Sequence, residues 1–174
     1  MNWEQLIQVF TLINEPYSST YVAAQPTAES IQRIGQTLKI TLPQKLVRFA
    51  RDCPSYGTWF ASIGPDYDSY LHILELNNEF RKVGEFGNNG KVLSPLPPEL
   101  IMINHGHDGD CDCLEIGSFI EQTAEYRISY WSQTNARSTL SWATFHEYLE
   151  WHVDNWTKSA SREIRTRIDR ILHA

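Results

Sequence analysis

Apolar side chains recur at three- and four-residue intervals near both ends of this chain, whereas its middle breaks into short runs punctuated by glycine and proline. That order constrains the fold more than any motif does, because a helical stripe and a strand's alternation present their apolar faces with different periods. Trp3, Leu6, Ile7, Phe10 and Ile13 line one side of a first helix, which NEPYSS ends. Thr27 is placed to cap a second helix carrying Ile31, Ile34 and Leu38. ITLP then leads into a short third helix, with Pro43 in its first turn and Leu46, Val47 and Phe49 available for burial.

From Cys53 the texture changes. DCPSYGTWFASIGPDYD predicts an ordered loop or short strand, YLHILEL reads as a strand, and EFRKVGEFGNNGKV holds a short strand and a turn at Gly87 to Gly90. LPPELIMIN introduces the next strand, and CLEIGSF and EYRISYW supply two more, the last alternating Tyr126, Ile128 and Tyr130 against Arg127, Ser129 and Trp131. Ser141 is placed to cap a late helix bearing Trp142, Phe145, Tyr148, Leu149 and Trp156, and a further helix near 160–172 carries Ile164, Ile168, Ile171 and Leu172. Helices, then strands, then helices point to an α+β single domain with a mainly antiparallel sheet, since the strands lack the intervening helices of a doubly wound fold.

The 174 residues and 41% apolar content are enough for one sizeable core. The 15 basic and 21 acidic side chains give a formal charge of −6, which disfavours nucleic acid and anionic membranes and suits a basic partner. No apolar run of membrane-spanning length and no secretory leader is read, and Cys53, Cys111 and Cys113 make no disulfide framework; a cytoplasmic setting is the expectation.

The stretch HGHDGDCDCLEI, 105–116, concentrates donors of several kinds. A tetrahedral zinc site needs four donors converging at about 2.0 to 2.4 Å, and neither the usual two-residue spacer nor a second cysteine pair is present. Asp108, Asp110 and Asp112 imitate the start of a calcium loop, but Cys113 stands where its glycine belongs and Phe119 where its bidentate acid belongs. No phosphate loop, dinucleotide fingerprint, zincin helix or nucleophile elbow occurs. The expectation is therefore no catalytic residue, no cofactor and no metal, with the stretch serving as a turn into a strand and as binding surface.

Between Lys91 and Arg127 there is no lysine or arginine, while Glu99, Asp108, Asp110, Asp112, Glu115, Glu121 and Glu125 supply seven acids. If several share a face they attract a basic partner and speed encounter; otherwise they serve solubility. The candidate partner-binding set is Asp108, Asp110, Asp112, Glu115 and Glu121, with the aromatic anchors Tyr56, Trp59, Tyr130 and Trp131. The basic residues of the tail, Lys158 to Arg170, alternate with acids, and their helix is read as packing on the domain, with self-association as the next use of its face.

SIQRIGQTLKITLPQKLVRFARDC, then LSPLPPELIMINHGHDGDCDCLEI, YRISYW and WATFHEYLEW, resemble the SUKH superfamily, which includes bacterial immunity proteins and the yeast cell-wall-assembly regulator family. The resemblance runs from Ser30 to Trp151 and rests on Leu42 and Pro43 before a short helix, Gly109 and Asp110 entering a strand, and the late aromatic helix. It implies helices around an antiparallel sheet. It also matches Asp110 to the family's aspartate after glycine and sets Glu115 where a second acid, commonly aspartate, is seen. The segments 1–29 and 152–174 are expected to be family-specific extensions of one domain. In role, the resemblance implies a non-catalytic protein that binds and neutralises a cognate toxin, a basic nuclease among the candidates, without touching nucleic acid or membrane itself; a homodimer is one option. A regulatory or scaffold-binding module is the alternative, and a metal-dependent or thiol enzyme the less favoured one.

Overall fold

The computed structural model describes residues 1–14, 27–53, 69–82, 93–105 and 110–174. Among these, helices α1 (Trp3–Asn14), α2 (Ala28–Leu38), α3 (Gln44–Asp52) and α4 (Ser69–Phe80) precede strands β1 (Leu100–His105), β2 (Asp110–Glu115), β3 (Ile128–Ser132) and β4 (Arg137–Trp142), and α5 (Phe145–Ser159) and α6 (Arg162–Leu172) follow. The strands form one antiparallel sheet in the order β1-β2-β3-β4, so the α+β reading holds. None of the described helices is long and apolar enough to cross a membrane.

Local chemistry explains where the helices start and stop. Thr27 Oγ1 accepts the Ser30 N–H at 3.0 Å at the start of α2, as its position predicts. Lys39 ends that helix in the left-handed region at φ 55°. Gly35 lets the returning chain close in, since a Cβ there would lie 3.0 Å from the Ile40 carbonyl oxygen. Ser161 caps α6, and Gln5 of α1 donates to the Ile171 and Leu172 carbonyls at 3.3 and 3.2 Å, occupying acceptors that the end of α6 leaves over.

Strand alternation sorts side chains onto two packed faces. On one, Ile101, Ile103, Leu114, Ile128 and Trp142 join Leu6, Phe10, Phe49, Phe145, Leu149 and Ile168 in the main core. On the other, Leu100, Met102, Cys111, Cys113 and Trp131 pack with Phe80 and Leu96. The β1 edge is closed by a side chain rather than a strand. Asn77 of α4 accepts the Met102 N–H at 2.9 Å and donates to the Met102 carbonyl at 2.9 Å, and Arg81 donates to the Leu100 carbonyl at 3.0 Å.

Several elements differ from the sequence expectation. YLHILEL lies in a helix, α4: continued to Phe80, its stripe of Ile73, Leu76, Asn77 and Phe80 has helical spacing, and a seven-residue window hides that. Ser141 is in β4, a strand the sequence did not announce, and the cap of α5 is Thr144, whose Oγ1 accepts the Glu147 N–H at 3.2 Å. CLEIGSF stops being a strand at Glu115 and tightens into a 3-10 turn at Ile116–Ser118. The ordered loop or short strand expected after Cys53 and the turn expected at FGNNG fall on residues 54–68 and 83–92, outside the described residues.

Candidate functional site around the acidic strand

The donors of the 105–116 stretch separate because β2 alternates. Asp110, Asp112 and Leu114 take the face that bears α5, and Cys111 and Cys113 take the other, with their sulfurs 3.5 Å apart and buried. Burial, then the neighbouring Cys111, pushes the Cys113 thiol well above its ordinary range, which keeps it protonated. Among the described residues no three His, Cys, Asp or Glu side chains gather to hold a metal ion. His107 and Asp108, with Gly106 and Gly109, lie outside those residues.

Asp112 is an interior group, only 7% exposed. Its Oδ2 accepts the Tyr148 hydroxyl at 2.6 Å and the Asn104 amide at 3.0 Å. Burial nevertheless outweighs both bonds and holds its carboxyl above the ordinary value. Two residues earlier, Asp110 is half-buried and accepts the Tyr130 hydroxyl at 2.7 Å; its second oxygen is enclosed with no hydrogen-bond partner among the described residues. Burial first, and then this bond to Asp110, pushes the Tyr130 phenol up, so it stays a donor.

The one-signed acidic stretch therefore does not make a single face. Asp110 lies at the sheet end where β2 begins, and Glu99 and Glu115 lie at the opposite end, where the Ile116 N–H bonds the Glu99 carbonyl at 2.9 Å. Glu125 is buried, receives the Phe145 N–H at 3.3 Å and pairs with Lys45 at 3.3 Å. Glu121 is exposed in the hairpin beyond the 3-10 turn, beside the exposed Phe119 and Ile120. Of the aromatic candidates, Trp131 is 8% exposed and belongs to the second core, Tyr130 is half-buried, and Tyr56 and Trp59 lie outside the described residues.

Asp112 and Trp131 are thus placed as interior supports, leaving Asp110, Glu115, Glu121 and Tyr130 as the described candidates with solvent access. Phe119 and Ile120 were missed, although their position between Glu115 and Glu121 was a usable signal. Leu140 and Trp151 were missed too, since a leucine in an unrecognised strand carries no exposure signal.

A four-stranded antiparallel meander with a helical layer on one face, and an aspartate after glycine at the head of its second strand, make this an α+β protein. The chain belongs to the SMI1 / KNR4 family (SUKH-1), whose model matches residues 25–151 and so contains the whole sheet and α2 to α4. This family is known for toxin immunity and related roles. Searches of curated proteins and of solved structures found no match.

Proposed function

We propose that this chain is a non-catalytic immunity protein that binds and neutralises a cognate bacterial toxin, with a basic nuclease the partner class its charge suits. Membership of the SUKH-1 family over residues 25–151 carries the reading. The surface supports it at one place in particular. At the sheet end that holds Glu99 and Glu115, the exposed Phe119 and Ile120 stand next to Glu121, with Phe119 held against Tyr126 at a ring separation of 4.7 Å. An apolar anchor bordered by acids fits a basic cleft: the acids speed encounter and the anchor slows release. Asp110 and Tyr130, at the other end, form a second and smaller contact candidate.

The test is affinity capture from the native host followed by an activity assay of the captured protein. Three baits separate the two ends: the wild type, a Phe119→Ser, Glu115→Gln, Glu121→Gln variant, and Asp110→Asn. Asp112 is left intact because its loss would disturb the core. An enzyme captured by the wild type, inhibited by it, and lost from the triple variant supports the reading. A captured partner whose activity is unchanged would favour the alternative, a regulatory or scaffold-binding module, and turnover of a small substrate by the purified chain would overturn both.

A further inference from the structure

We propose that this chain associates with a second copy of itself along β4, two antiparallel β4 strands joining their sheets across a two-fold axis at Ser141. The two edges of the sheet are treated differently. On β1, the outward groups of Met102 and Leu100 are occupied by Asn77 and Arg81. On β4, the residues from Arg137 to Ser141 are all exposed, and no hydrogen bond from another described element reaches its outer side.

The register follows from the ladder. The Glu115 N–H bonds the Arg127 carbonyl, so odd-numbered residues of β3 bond toward β2 and Ile128 and Tyr130 bond toward β4. Their partners Trp142 and Leu140 therefore use their main-chain groups inward, and Ser141 between them turns its N–H and carbonyl out. The ladder is irregular at Thr139, since Tyr130 faces Leu140 and Trp131 faces Ser138, which confines regular outer pairing to Leu140–Trp142 and sets the axis at Ser141.

Charge and surface select a copy of this chain as the occupant. Natural edges are blunted by lysine or proline, and β4 has neither; its single charge is Arg137. The other end of the strand carries the opposite sign, because Glu147 folds back to accept the Ala143 N–H at 2.9 Å. An antiparallel copy sets Ala143 against Thr139 and so brings Arg137 of each copy beside Glu147 of the other; a parallel copy would set Arg137 against Arg137. Leu140, 47% exposed, shares its face with Trp142, whose ring is 5.1 Å from that of the 37% exposed Trp151. These side chains would be covered together. A contact of one strand and two side chains per copy is small, so the dimer is expected to be reversible.

Sedimentation over a concentration series tests this, starting from the monomer mass of 20.1 kDa. Wild type should rise toward twice that mass. Ser141→Pro removes an outward N–H while leaving the inner ladder intact, and Arg137→Glu sets acid against acid; each should weaken association by about tenfold or more. The double change Arg137→Glu, Glu147→Arg should restore it. Thermal unfolding checks each fold, and if Ser141→Pro does not fold, the charge reversal and its rescue decide. Wild type monomeric at every concentration reached, a dimer indifferent to both single changes, or a swap that fails to restore pairing would overturn the proposal.

Discussion

The Tyr148 hydroxyl reaches Asp112 Oδ2 at 2.6 Å, tying the first turn of α5 to the middle of β2 through a carboxylate that solvent scarcely touches. Asn104 donates to the same oxygen, so one acid fastens β1, β2 and α5 together. Replacing it with alanine takes this acceptor from the buried Tyr148 hydroxyl and the half-buried Asn104 amide, and should cost about 2 to 3 kcal/mol in urea unfolding. Asp112→Asn keeps an acceptor oxygen and should cost less than half of that.

Acid should act on Asp112 with a definite sign. Burial raises its folded carboxyl above the ordinary value of 3.8, so the native state prefers the proton. Its favourable contribution is complete below 3.8 and is lost as pH rises through the raised value. Wild type should therefore gain stability relative to Asp112→Asn on acidification, read as the difference between their unfolding midpoints across a pH series.

His152 should act in the opposite direction. Burial lowers it from 6.5 to about 4, in a setting where its ring stands edge-on to Tyr148 at 4.6 Å. Stability from the neutral ring is present above 6.5 and lost as pH falls toward 4. The loss should be on the order of 2 to 3 kcal/mol. Measured in the Asp112→Asn background, His152→Gln should flatten that slope.

Asn77 closes the β1 edge with both ends of its carboxamide. Asn77→Ala leaves the buried N–H and carbonyl of Met102 without these partners, and should destabilise by about 2 to 4 kcal/mol in chemical denaturation. Asn77→Asp keeps the acceptor but loses the donor, and adds a buried charge. It should be no better tolerated.

Lys45 and Glu125 offer a double-mutant cycle. Lys45→Met leaves the buried Glu125 carboxylate without its cation and should cost about 2 kcal/mol, less than for a fully buried pair because water reaches the lysine. Adding Glu125→Gln, which still accepts the Phe145 N–H, should recover part of the loss. Additive losses would mean that the two groups do not interact.

The sequence was most legible where one face of an element is buried. The stripes of α1 and α6 follow from that asymmetry, the Thr27 cap from a local bond to Ser30, and β3, covered on both faces, from its β-branched and aromatic residues. It failed at α4, where both readings fit a short window and a buried asparagine interrupts the apolar stripe, and at β4, whose exposed residues give a strand no alternation to show. Asp112 was read as accessible for a different reason. An aspartate is read as surface unless its partners are known, and the partner that draws Asp112 inward lies 36 residues away in sequence.

The bonds from Gln5 to Ile171 and Leu172 span 166 and 167 positions, whereas each strand of the sheet pairs with the one that follows it. Closing a loop costs more entropy the longer it is, so contacts between near neighbours form first and those between distant segments wait. The meander from Leu100 to Trp142 can therefore assemble from its own hairpins while the chain is still incomplete. Docking α1 on α6 is expected to follow the hairpins, and until it happens that side of the helical core is left open to water and to other chains.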